Sequence, residues 1–229
     1  MTLRSPRLSC AFAILSALAA APAFATDDHP GGRFEITITN LTRGQQFTPF
    51  LLATHRSGVR LFEAGQPASA ELAVLAEEGN TAPLAAALGA NLQVGQVVTG
   101  TGLTNPGAST TLVVDARGGF GRFSVAAMLI PTNDGFVAVN SGDLPHGNDM
   151  LTLMAPAYDA GTERNDETCA SIPGPLFAEC NGSGGGASPS GGEEGYVHIH
   201  AGIHGIGDFA PSNRDWRNPV ARITVRRIR

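Results

Sequence analysis

Two short acidic runs hold the side chains best suited to chemistry. Pro-Thr-Asn-Asp-Gly-Phe-Val at 131–137 carries Asp134, and Ala-Tyr-Asp-Ala-Gly-Thr-Glu at 157–163 carries Asp159 and Glu163. Carboxylates gathered without a cation repel one another and raise one another's pKa, and a hard divalent ion removes that cost by accepting their oxygens. Calcium suits such a set because it takes six to eight oxygens in loose geometry, from carboxylates, backbone carbonyls and water, whereas magnesium demands tighter octahedral order. By residue type alone, acidic loop residues also serve as solvated turn formers, and the spacing leaves both roles open.

A rival constellation is His198, His200 and His204. In a strand, positions 198 and 200 point to one face, and neutral imidazoles at that spacing are good ligands for zinc or copper, with His204 returning through a turn at Gly202. The same histidines would also supply the polar face of a short strand. Nucleophilic chemistry has little to stand on, since the sequence contains no Gly-x-Ser-x-Gly, no phosphate-cradling glycine loop opening a helix and no His-Glu-x-x-His. The one Trp, Trp216, precedes the final strand-like run and is expected to pack against its start, with sugar stacking as the lesser alternative.

Positioning these residues falls to strands. Residues 33–40, RFEITITN, alternate Phe34, Ile36 and Ile38 with Glu35, Thr37 and Thr39, the pattern of a half-buried strand. Further strand-type runs cover 47–54, 92–98, 110–115, 123–130, 136–140, 150–156, 197–200 and 220–228. The Ala/Leu-rich segments 68–76 and 83–88 favour short helices, with Pro83 at a first helical position and Gly79 and Gly89 as stops. Many short strands with Gly, Pro, Asn and Asp between them, and helix confined to one inserted region, predict an all-β antiparallel sandwich with one or two short helices. Pairing 136–140 with 150–156 through a turn containing Gly142, Pro145 and Gly147 would bring Asp134 and Asp159 to one sheet edge. A sharp turn at Gly161 would then aim Glu163 at the same space.

The first 25 residues read as a secretory signal: Arg4 and Arg7, an apolar stretch from about 11 to 20, then Ala23-Phe24-Ala25. Cys10 lies inside the apolar stretch, which argues against a lipid attachment site. The expected product is an exported protein, periplasmic or extracellular, with one domain over 26–229 and no transmembrane segment in the mature chain. The whole sequence has 15 Lys and Arg against 20 Asp and Glu, a net charge of −5, and the leader takes away two Arg and no acid. An acidic surface of that kind disfavours nucleic acid and anionic membranes and favours free cations. Cys169 and Cys180, flanked by Pro and Gly in an exported chain, are expected to form a local disulfide. The Gly/Ser-rich stretch over 181–195 has almost nothing to bury and is expected to be a flexible surface excursion without chemistry of its own.

The runs PTNDGFVAV, APAYDAGTE and GYVHIHAGIHGIGD, with the closing WRNPVARITVRRI, resemble the spondin N-terminal domain in its bacterial exported form. The resemblance extends from about residue 34 to 226 and is most specific at Asp-Ala-Gly-Thr followed by an acid. It implies a C2-like antiparallel β-sandwich that binds calcium through acidic loop residues at one end, which by motif fall on Asp134, Asp159 and Glu163. It further implies an adhesion or interaction module, not an enzyme. The partners of the animal members do not transfer, and the expected partner besides calcium is an extracellular or envelope protein or a glycan. Animal members of the family usually follow the first acid with Trp where this chain has Gly135, and carry Asp where it has Glu163. The alternative on residue types is a transition-metal-binding protein or metalloenzyme built on the three histidines.

Overall fold

Alternation of Phe34, Ile36 and Ile38 with polar residues puts one face of β1 (Gly32–Asn40) fully inside. The computed structural model describes residues 29–174, 177–182, 184–186 and 191–228, together with Met1. The secretory leader expected over 1–25 otherwise lies outside the described residues.

In chain order, β1 is followed by β2 (Gln46–Phe47), β3 (Leu51–His55), α1 (Ala70–Glu78), α2 (Ala82–Gly89), β4 (Val94–Thr99), β5 (Ser109–Ala116) and β6 (Arg122–Ile130). Then come β7 (Gly135–Asp143), β8 (Met150–Ala155), β9 (Ala157–Asp159), β10 (His198–Ile199), α3 (Pro211–Arg214) and β11 (Ala221–Ile228). They form two antiparallel sheets, one in the order β5-β1-β11-β8 and the other β10-β9-β7-β6-β3-β4, with β2 beside β6. The all-β sandwich expected from the sequence is therefore the fold.

The main core lies between the sheets, where Phe34, Ile36, Ile38, Ile223 and Val225 of the first meet Phe123, Val125 and Ala127 of the second. A second core lies on the outer face of the larger sheet. There Leu72, Leu75, Leu84 and Leu88 of the helices cover Leu51, Ala53, Ala126, Phe136 and Ala138. This double covering explains why β6 reads as the nearly continuous apolar run FSVAAMLI while β1 alternates. The α1 helix starts on the Ser69 side chain, which accepts from the Leu72 N–H, and stops at Gly79 in the left-handed region. The single strand expected over 47–54 is two, β2 and β3, because Pro49 between them has no N–H to give to a ladder.

One pairing differs from the sequence expectation. Strand β8 does not lie beside β7: it crosses to the smaller sheet and pairs with β11, Leu153 opposite Ile223. Its alternating pattern buries only one face, as suits an edge strand, and Pro156 then breaks the ladder so that the chain changes sheets. The short β9 beyond Pro156 returns to β7, placing Asp159 opposite Gly135. The two acidic runs meet at one sheet end as expected, but through β9.

Candidate metal centre

Thr132 and Gly161 set the local backbone. The Thr132 hydroxyl accepts from the Gly135 N–H at 3.0 Å, turning the chain from β6 into β7 with Asp134 at the corner. Next to it, β9 lies between β7 and β10, so Asp159 faces Gly135 on one side and His198 on the other. Phe136 and Tyr158 stack at 5.6 Å with Phe62 edge-on to both, fixing β9 against β7. Gly161 has φ +66°, and a Cβ there would sit 2.3 Å from the Tyr196 carbonyl oxygen, so only glycine lets this loop turn under the 196 segment.

That turn delivers the 162–163 backbone to Asp134. Its Oδ2 accepts from the Thr162 N–H at 2.7 Å, the Glu163 N–H at 3.0 Å and the Thr162 hydroxyl at 3.1 Å. Its Oδ1 is buried and has no hydrogen-bond partner. Asp159 accepts from the Gly161 N–H on Oδ1 at 2.8 Å and from the Asn165 amide on Oδ2 at 2.7 Å. Both aspartates are fully inaccessible, and Glu163 is buried in the same loop. Burial, and then the neighbouring Asp159 charge, push the Asp134 carboxyl up to about 6. Burial likewise raises Asp159, against the lowering effect of its Asn165 and Gly161 hydrogen bonds.

The histidines divide. His198 Nε2 lies 3.7 Å from Asp159 Oδ1 and 3.9 Å from Glu194 Oε2, and His200 Nε2 lies 3.9 Å from Asp159 Oδ2. Neither Nε2 has a hydrogen-bond partner. Burial, followed by the His198 charge, lowers His200 to about 4, so its ring is neutral at physiological pH. His204 is exposed, and its backbone N–H donates to Glu167 Oε1 at 2.6 Å. Among the described residues, ligand atoms of Asp159, Glu194 and His198 all lie within 4.8 Å of one another. Trp216 is buried against the His200 ring, with centroids 4.9 Å apart, just before β11. It serves as packing, as its place in the sequence suggested.

Several participants escaped sequence reading. Glu194 closes the Gly/Ser-rich stretch expected to carry no chemistry, and the signal for it was the Glu193-Glu194 pair directly ahead of Tyr196 and His198. Thr162 and Asn165 act on the aspartates through hydrogen bonds that no spacing rule reveals. Other acids of the region are structural. Glu167 accepts from the N–H groups of His204, Gly205 and Ile206, and Asp166 from Thr168, Ser171 and Asn133. The expected disulfide Cys169–Cys180 ties off the same excursion, with Cα atoms 5.4 Å apart.

The arrangement can hold a cation: two buried carboxylates side by side, one with an orphaned oxygen, and imidazole nitrogens directed at the second. Among the described residues no helix is long and apolar enough to cross a membrane. No curated protein matches the chain. The Spondin_N family model matches residues 37–171, a span that runs from β1 through both acidic runs to the first cysteine of the disulfide. This chain belongs to the spondin N-terminal family.

Proposed function

We propose that the protein is an exported calcium-binding adhesion or interaction module without catalytic activity, holding the ion at one loop end of the sandwich through Asp134, Asp159 and Glu163. Membership in the family supports an extracellular-type interaction module. The observation that carries the calcium reading is the Asp134 carboxylate. One of its oxygens is saturated by three donors, while the other is buried without a partner beside the equally buried Asp159. An unpaired buried charge costs several kcal/mol in order of magnitude, about 1–3 even for a neutral group, and an ion accepting that oxygen removes the cost. The donors are carboxylate oxygens on loops, the hard and adaptable set that calcium favours.

In this reading Asp134 and Asp159 hold the ion from the start of β7 and the end of β9, and Glu163 closes it from the turn made by Gly161. The bound ion supplies positive charge in place of mutual repulsion and fixes the 159–167 loop against the sheet. A partner protein or glycan then meets one ordered surface. The role is ordering and not turnover. The test is calorimetric titration of the purified, chelator-stripped protein with calcium, alongside Asp134→Asn. One calcium per chain, lost in the variant, supports the reading, and no heat at millimolar calcium overturns it.

A further inference from the structure

Beyond the calcium locus, the hydrogen bonds of His198 and His200 assign the two rings different tasks. The His198 Nδ1 lies 3.0 Å from the Ile199 carbonyl oxygen, which can only accept, so Nδ1 carries the proton. In the neutral ring that a metal requires, Nε2 then presents a lone pair, with Asp159 Oδ1 at 3.7 Å and Glu194 Oε2 at 3.9 Å before it. Three electron-rich atoms thus surround one space with no donor among them.

His200 has the opposite tautomer. Its Nδ1 accepts from the Gly202 N–H at 3.0 Å, which leaves the proton on Nε2, directed at Asp159 Oδ2 from 3.9 Å. The side chain is 2% exposed, and that N–H has no hydrogen-bond partner. At 3.9 Å it makes no hydrogen bond to Asp159 Oδ2, which the Asn165 amide holds at 2.7 Å. Gly135 makes room for the ring, because a Cβ there would lie 2.9 Å from His200 Cδ2.

We propose that this side of the sheet edge is a second, distinct metal site that binds a zinc-class ion through His198 Nε2, Asp159 Oδ1 and Glu194 Oε2. The donor set, one neutral imidazole and two carboxylates, suits zinc and its neighbours better than calcium, which prefers oxygen alone. Tetrahedral zinc with bonds of about 2.0–2.2 Å places neighbouring ligand atoms about 3.3–3.6 Å apart. The two His198 separations, 3.7 and 3.9 Å, therefore close by only a few tenths of an ångström, while the Asp159–Glu194 separation, within 4.8 Å, closes by up to about 1.5 Å as the exposed Glu194 side chain turns in. Three protein ligands leave a fourth position for water. Glu194 is the sole ligand outside the paired strands, so the ion clamps the end of the Gly/Ser-rich excursion onto β9 and β10. The site shares Asp159 with the calcium locus and is otherwise independent of it.

The test is calorimetric titration of the chelator-stripped protein with zinc chloride, in the presence and absence of saturating calcium. The expected result is one zinc per chain, weakened at least about tenfold by His198→Gln and by Glu194→Gln and retained in Asp134→Asn. Glu194 is partly exposed, so E194Q should keep the metal-free melting temperature of the parent and separates lost ligation from lost folding. His29 and His146, with rings 4.9 Å apart, provide the control. Zinc affinity unchanged in H198Q and E194Q, no zinc uptake at all, or uptake abolished instead by His146→Gln would overturn the proposal. Zinc uptake without calcium uptake would sink the calcium reading and leave this one standing, and calcium uptake without zinc uptake would do the reverse.

Discussion

Replacing a proposed metal ligand, Asp134→Asn, should stabilise the metal-free protein at neutral pH. The folded-state carboxyl is raised from 3.8 to about 6, by burial first and by Asp159 second. A raised carboxyl pKa means that the native state binds protons more readily than the unfolded chain, so the group costs stability above pH 6. That cost fades as pH falls and is absent below about 3.8. Two pKa units correspond to about 3 kcal/mol at 1.36 kcal/mol per unit, or roughly 6–12 °C in melting temperature for a chain of this size. The Asn amide oxygen can still accept from Thr162 and Glu163, and its NH2 occupies the place of the orphaned oxygen near Asp159. The gain should therefore approach this figure. The assay is urea unfolding of parent and variant in chelator from pH 4 to 8, comparing the two at each pH so that carboxylates other than the neighbouring Asp159 cancel. The variant should be the more stable above pH 6, with the difference shrinking toward pH 4. A variant less stable than its parent by the same amount at every pH would mean that Asp134 carries no buried-charge cost and acts only as a neutral hydrogen-bond acceptor.

Other consequences follow from single residues. Gly161→Ala forces a side chain into the left-handed region and against the Tyr196 carbonyl, and should cost at least about 1–3 kcal/mol and weaken calcium binding together, read by melting with and without the ion. Gly135→Ala crowds Thr132 Oγ1 at 2.6 Å and His200 Cδ2 at 2.9 Å, and should lower stability by about 1–3 kcal/mol and displace His200, visible as altered imidazole resonances. Replacing both Cys169 and Cys180 by Ser should cost no more than about 3 kcal/mol by the chain-entropy estimate. Faster amide exchange should then be confined to the segment around 169–186 while the sandwich strands keep their protection.

Most of the sandwich was legible because its strands are half buried. Phe34, Ile36 and Ile38 alternate with threonines and glutamate, and the helices carry Pro83 and Gly79 where capping physics wants them, while the Ser69 cap emerges only in the structure. The β7–β8 pairing was misread because neighbours in sequence are usually neighbours in a sheet, and only the one-sided burial of β8 and the break at Pro156 signal the change of sheet. At the candidate site, the Asp-Ala-Gly-Thr-Glu run pointed to a loop whose turn needs its glycine, since Gly161 has a positive φ and lies against the Tyr196 backbone. The grouping of Asp159 with His198 and Glu194 was not legible, since it depends on β10 joining the edge of β9 from about 40 residues downstream. His204 shares the spacing of its neighbours but not their place: the turn after Gly202 carries it to the Glu167 carboxylate by its backbone.

If Asp134 and Asp159 form a buried pair that holds a divalent cation, thermal unfolding of the chelator-stripped protein across a calcium titration reads it out. At calcium about one hundred times its dissociation constant the expected gain is about 2.7 kcal/mol, roughly 5–11 °C, absent in Asp134→Asn and in Asp159→Asn. An unchanged melting temperature up to millimolar calcium, or a shift that persists in both variants, would contradict it.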